Sequence, residues 1–138
     1  MAATGRRSFL ALLGVALRAE TSDELRDVVA QMATSLSAAN ESAFFHQIDK
    51  KMPGYNRMRE QLIGLMGYAE LSSSVDVRSS SGDEQKQTAK LDWYMSLKSR
   101  VEQTVTAQRR QTLTFEFEKR GKRWMVTDIE PQDFFKAP

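Results

Sequence analysis

The chain contains no cysteine in 138 residues. That excludes disulfides, thiolate chemistry, cysteine-held zinc and the usual iron–sulfur ligation, so a packed core must hold the fold alone. There is one histidine, His46, too few for a multi-histidine metal site. No glycine-rich phosphate loop, nucleophile elbow or metal-spaced set of carboxylates is present. No cofactor and no metal is therefore expected. Only three prolines occur, with no Pro/Gly/Ser-rich linker between units and no internal repeat, which points to one domain. Long apolar runs are also missing. The longest, Phe9 to Leu17, has nine residues that are all apolar or Gly; as a helix it spans roughly 14 Å against a bilayer core of about 30 Å, too short to cross.

That short run has a specific setting. Arg6 and Arg7 precede it, Arg18 follows it, and the first 19 residues carry no Asp or Glu. A charged segment, a short apolar segment and small residues beyond form the layout of a secretory signal. Arg6-Arg7 with Phe9-Leu10 also resembles the bacterial twin-arginine export motif, although Gly5 and Ala11 stand where such signals often carry Ser or Thr and Lys. An ordinary secretory signal accounts for the same residues. Residues 1–19 are read as a signal peptide cut near Ala19, which leaves 20–138 as a single domain in the periplasm or outside the cell, with no membrane span. An uncut, tethered form and a first core helix over residues 8–18 are the alternatives.

The charge balance depends on that boundary. The chain has 20 Lys+Arg against 18 Asp+Glu, but three of the basic residues lie in the first 19. The remainder is slightly acidic, so the basic isoelectric point does not argue for a nucleic-acid partner.

From residue 21 onward the periodicity is readable. Thr21 and Glu24 have capping-box spacing, and Leu25, Val28, Val29, Met32 and Leu36 recur at helical spacing through about Ala39. Asn40 caps a second short helix with Phe44, Phe45 and Ile48, ending near Lys50-Lys51. Met52-Pro53-Gly54 breaks the chain. A third helix over Tyr55–Tyr68 turns Met58, Leu62, Leu65 and Met66 inward, with Gly64 and Gly67 as small positions where a neighbour could approach. The period then becomes two. Leu71, Val75 and Val77 mark a strand, and Ser79–Asp83 a turn. Ala89, Leu91, Trp93, Met95 and Leu97 share one face of a long strand. Leu113, Phe115 and Phe117 mark a third strand, Lys119–Lys122 a hairpin turn with Gly121 at positive φ, and Arg123 to about Glu130 a fourth. Phe134-Phe135 beyond Pro131 is placed to close an open edge of the core. Helices followed by strands read as α+β: three N-terminal helices on one face of an antiparallel sheet of about four strands.

The order of a capped helix, a short Phe-bearing helix, a Pro-Gly-Tyr break, a third helix and long strands, ending in Gly121–Phe135 (GKRWMVTDIEPQDFF), resembles the nuclear transport factor 2-like superfamily. That group is also called SnoaL-like, or the cystatin-like α+β cone. The resemblance covers nearly all of residues 21–135. It implies a curved sheet around a long helix, a cone-shaped pocket, and dimerisation through the sheet face. The group includes isomerases, dehydratases and hydrolases as well as binding and dimerising domains, so the fold does not choose a function.

Tyr55, Trp93, Met95, Phe115 and Trp124 are candidates to line a pocket for an apolar small molecule, or simply to fill the core, since aromatics are ordinary core residues. Asp128 shares a predicted face with Trp124 and Val126, which makes it the carboxylate nearest the apolar side; a solvated strand-end residue is the competing reading. His46 and Asp49 lie three apart on one helix and form the only histidine–carboxylate pair. Asp92 and Tyr94 fall on the outer face. With the inner face so apolar, no catalytic residue is assigned, and a non-enzymatic ligand-binding or protein-interaction module is expected. A small isomerase or hydrolase acting on an apolar molecule, assisted by Asp128, Tyr55 or His46–Asp49, is the alternative. Arg109-Arg110 and Lys119–Arg123 read as basic charge around one hairpin. Tyr94, Ser96, Thr112 and Thr114 form a mixed outer face suited to a second copy.

Overall fold

The computed structural model describes the backbone of residues 2–138 and the side chains of residues 19–138. The side chains of residues 1–18 of the expected signal lie outside that description. Three helices precede the sheet: α1 (Ala2–Ser37), α2 (Glu41–His46) and α3 (Tyr55–Tyr68). Four strands follow: β1 (Ala69–Gly82), β2 (Lys86–Ser99), β3 (Val105–Arg120) and β4 (Arg123–Glu130). They pair antiparallel in the order β1-β2-β3-β4, and a short 3₁₀ turn, Gln132–Phe135, follows β4. The α+β architecture expected from the sequence is the one observed.

α1 does not begin at Thr21. The helix runs unbroken through that position, so the backbone N–H groups of a would-be first turn are already bonded one turn back, and a capping box has nothing to satisfy. Glu24 instead accepts a hydrogen bond from Trp124 Nε1 at 2.6 Å. Leu25, Val29, Met32 and Leu36 form the buried stripe. α2 starts as expected: the Asn40 side chain accepts from the Ala43 N–H at 3.0 Å. It stops earlier than Lys50-Lys51, because the backbone there is diverted to the sheet. The Val126 N–H donates to the Gln47 carbonyl and the Asp49 N–H to the Val126 carbonyl, forming a parallel bridge from Ile48 to Val126.

Gly54 opens α3 in the left-handed region at φ 76°. A Cβ there would lie 2.5 Å from Gln132 Oε1, the movable end of a side chain, so it is the left-handed backbone that favours glycine at this position. Gly64 and Gly67 behave oppositely to the expectation of close approach: nothing lies within 4 Å of where either Cβ would stand. The turn placed at Ser79–Asp83 is also displaced. Ser79 to Gly82 go on pairing with Gln87 to Lys90. The chain reverses only after Asp83, whose carboxylate accepts the N–H groups of Gln85 and Lys86, each at 2.8 Å.

The inner face of the sheet carries Leu71, Ala89, Leu91, Trp93, Met95, Leu97, Leu113, Phe115, Phe117, Trp124, Val126 and Ile129, all buried against the apolar stripes of the helices. Fully burying each large side chain is worth roughly 1.5–3 kcal/mol, and this single cluster is the domain's core.

Candidate functional site

The resemblance implies a pocket between helices and sheet. Among the described residues, aromatic side chains pack into that space. Trp93, at the centre of β2, stacks on Phe115 at 5.7 Å between ring centroids. Phe135 meets Trp93 edge-on at 5.3 Å and Phe44 at 5.5 Å. Phe44 continues to Phe45, and Phe45 to Tyr55, at 5.1 and 5.2 Å. These edge-to-face and offset contacts are the geometries aromatic rings prefer. The Trp93 Nε1–H donates to Ser73 Oγ at 2.6 Å, which gives the one polar atom of that ring a partner. Among the described residues no buried side-chain nitrogen or oxygen lacks a hydrogen bond. No polar group converges on an empty interior.

Phe134 and Phe135 hold this position because the tail is tied down on both sides. Arg109, on the inner side of β3 opposite Met95, donates through Nη1 to the carbonyls of Phe134 and Lys136 at 2.8 and 2.6 Å. Partial burial pushes the Arg109 guanidinium pKa down. Gln132 Nε2 donates to the Pro53 carbonyl at 2.7 Å, and Arg57 lies 4.0 Å from Asp133. Arg109 is thus an anchor of the tail, a role that its place in a basic pair of the sequence does not reveal. Alternation carried back from Leu113 through Gln111 would have put it on the inner face. Its grouping with the β3–β4 hairpin is corrected: Arg109 and Arg110 pair with Met95 and Tyr94, far along the strand from Lys119–Arg123.

Of the six candidate pocket residues, Tyr55, Trp93, Met95, Phe115 and Trp124 sit in the core, and none exceeds 8% exposure. Asp128 is separated from them. A bulge between Glu116 and Phe117 pairs Phe117 with Val126 and Glu116 with Asp128, leaving Thr127 unpaired. The bulge reverses the alternation, so Ile129 rather than Asp128 joins Trp124 and Val126 inside. Asp128 accepts the N–H of Ile129 at 2.9 Å. It borders an open groove of about 790 Å³ with Pro53, Gly54, Arg57, Thr114 and Gln132.

His46 and Asp49 are not partners. His46 is exposed, and Asp49 pairs with Arg120 while accepting the Lys51 N–H at 2.8 Å. Those two contacts, the backbone one first, hold the Asp49 carboxyl below the usual range. On the outer face Asp92 receives Arg110 at 2.7 Å and Arg78 at 2.8 Å, spanning three strands. The two guanidiniums, Arg110 foremost, bring its pKa down to about 2. Tyr94, Ser96 and Thr114 are half-buried around this triad. Among the described residues no cluster of three His, Asp or Glu could hold a metal ion.

No family model matches the chain, and no curated relative matches it. Solved structures do. One is an NTF-2 like protein of unknown function from Shewanella oneidensis, at 9% identity and TM-score 0.60, covering 79% of this chain and 96% of that one. A second is a nuclear transport factor 2 (NTF2-like) superfamily protein from Salmonella enterica, at 13% identity and TM-score 0.60, covering 81% and 89%. The fold is the NTF2-like cone. A third structure with the same cone, at 9% identity and TM-score 0.64, is the hexachlorocyclohexane dehydrochlorinase LinA-type3 from Novosphingobium barchaimii, covering 81% of this chain and 85% of that one. NTF2-like cones thus include both proteins of unknown function and an enzyme, so the fold alone does not choose a function.

Proposed function

We propose that this chain is a non-catalytic interaction module of the bacterial envelope, an NTF2-like cone whose interior is filled by its own side chains. The observation that supports this is the sealed aromatic core, with Phe135 seated on Trp93 and Phe44 and no polar group aimed inward. Catalysis on an apolar molecule needs a cavity and a few convergent polar groups. The outer sheet face around Tyr94, Ser96, Thr112 and Thr114 is the surface we assign to a second copy, and the N-terminal 19 residues are the export signal.

Thermal unfolding of the purified chain across a panel of apolar small molecules tests the sealed cone. No member of the panel should raise the midpoint; a saturable rise of several degrees would replace this reading with ligand binding. Export is tested separately. Deleting residues 2–19 should leave the protein in the cytoplasm, and normal export of that deletion would refute the signal.

One observation favours a second reading. The tail after Pro131, a short 3₁₀ turn, covers the aromatic core and is held by contacts of Arg109, Gln132 and Arg57 rather than by strand pairing. An apolar ligand that displaced Phe135 would meet Trp93, Met95 and Phe115. That is the route by which the chain could act as a small-molecule binder or as an enzyme on an apolar substrate.

A further inference from the structure

Two segments far apart in sequence meet at one end of the domain. The Ile48–Val126 bridge and the Asp49–Arg120 ion pair bring the loop after α2 against the β3–β4 hairpin. Four cations of that surface, Lys50, Lys51, Lys122 and Arg123, are exposed and have no carboxylate within 4 Å among the described residues. The neighbouring carboxylates are mostly engaged. Asp49 and Glu118 face Arg120, Glu24 faces Lys119, and Asp23 faces Arg26. Glu20 and Asp27 on α1 have no cation within 4 Å among the described residues, nor does Glu84 on the β1–β2 turn, which lies on the other side of β3 from β4; Asp83 on that turn is taken up by the N–H groups of Gln85 and Lys86.

This is also the end from which α1 leaves the domain. Glu24 touches Trp124 and Lys119 beside the hairpin, and a groove joins Glu24 and Asp27 to His46, Lys122 and Arg123. α1 then continues N-terminally, and the apolar run that ends at Leu17 begins about 10 Å beyond Glu24 along the helix. Among the described residues no helix is long and apolar enough to cross a membrane. A nine-residue apolar run alone holds a membrane weakly; stable attachment takes a second signal, and a basic patch on the same side supplies one.

We propose that the surface formed by Lys50, Lys51, Lys122 and Arg123 docks on anionic lipid headgroups, next to the point where the N-terminal apolar run enters the membrane. This rests on the export reading for the N-terminus. The patch holds the domain against the bilayer in the form that still carries residues 1–19, orienting it with the β2–β3 hairpin outward.

The test is co-sedimentation of the full chain with vesicles of pure phosphatidylcholine and of equimolar phosphatidylcholine and phosphatidylglycerol. Four proteins are compared: the natural chain, the triple variant Lys50→Gln, Lys51→Gln, Lys122→Gln, a charge-matched control Lys90→Gln, Lys98→Gln, Lys136→Gln, and Leu12→Asp, Leu13→Asp. The natural chain should bind the anionic vesicles at least about tenfold more tightly, the patch variant should lose about tenfold or more of that, and the control less than about threefold. Added salt should erase the preference for anionic vesicles. Equal losses in the patch and control variants, or no preference for anionic vesicles, would overturn the proposal. The aspartate variant separates the two readings. If it alone loses binding, the patch fails and the membrane-seeking N-terminus stands. If it binds like the natural chain while the patch variant loses binding, the patch stands and the N-terminal reading fails.

Discussion

Truncating Phe135 to Ala would remove the ring that closes the cone. That ring is fully buried and touches Phe44, Trp93 and Phe134 at centroid distances of 5.5, 5.3 and 5.1 Å. A buried Phe→Ala change costs about 3–5 kcal/mol, depending on how far the site collapses. Collapse is limited here, because Arg109 grips the carbonyls on both sides of the residue, at Phe134 and Lys136. The cost should therefore fall in the upper half of that range. Against a total stability of about 5–15 kcal/mol this is a large share, and the variant folds only where the natural chain holds well above about 5 kcal/mol. Urea unfolding followed by tryptophan fluorescence reads the effect; with a slope of about 2 kcal/mol per M, the midpoint should drop by roughly 2 M. An apolar cavity of that kind stays dry and takes up small aromatics, so benzene should recover part of the loss in Phe135→Ala and do nothing to the natural chain. A drop of less than about 1 kcal/mol, with no benzene effect, would mean that the tail does not seal the core.

Other consequences of the structure can be checked alongside. Gly64→Ala and Gly67→Ala place a methyl in open space on a helix, so each should raise stability by about 0.4–1 kcal/mol in thermal or urea unfolding. Gly54→Ala places a Cβ on a left-handed backbone and should cost about 1–2 kcal/mol; an unchanged midpoint would contradict the positive φ. Asn40→Ala removes the α2 cap and should cost about 1 kcal/mol. Asp92 titrates lower in the folded chain, at about 2, than the ordinary carboxyl near 3.9. Its contribution is therefore complete above about pH 4 and is lost as pH falls toward 2. Asp92→Asn should flatten the acid limb of stability in that window, and an unchanged acid limb would show that the Arg78–Asp92–Arg110 triad carries no linkage.

Regular local signals survived folding well. The Asn40 cap, the Pro-Gly break, α3 from Tyr55 to Tyr68 and the alternation of β2 all depend on near neighbours, so residue spacing alone was enough to place them. Gly121 at φ 64° closes the expected β3–β4 hairpin. What could not be read depended on distant partners. The loop after α2 leaves helical geometry because Val126, far along the chain, claims its backbone. One unpaired residue at Thr127 turns Asp128 from the apolar face to the groove, and nothing in the alternation of Trp124, Val126 and Asp128 announces a bulge. Thr21 and Glu24 have the spacing of a cap, but a cap is needed only where a helix begins, and α1 does not begin there. Trp93, Phe115 and Trp124 lie on the inner face of the sheet as alternation predicts, and Tyr55 on the inward side of α3. Whether they lined a space or filled one turned on Phe135, whose seat is fixed by Arg109 from the opposite end of β3.

Native mass spectrometry of the chain released gently from its own host's envelope tests the central claim most directly. The sealed cone predicts a domain with no retained small molecule, while its protein contacts account for any added mass. A reproducible, stoichiometric small molecule bound to the single chain would contradict it and would show that the tail opens the cone in the cell.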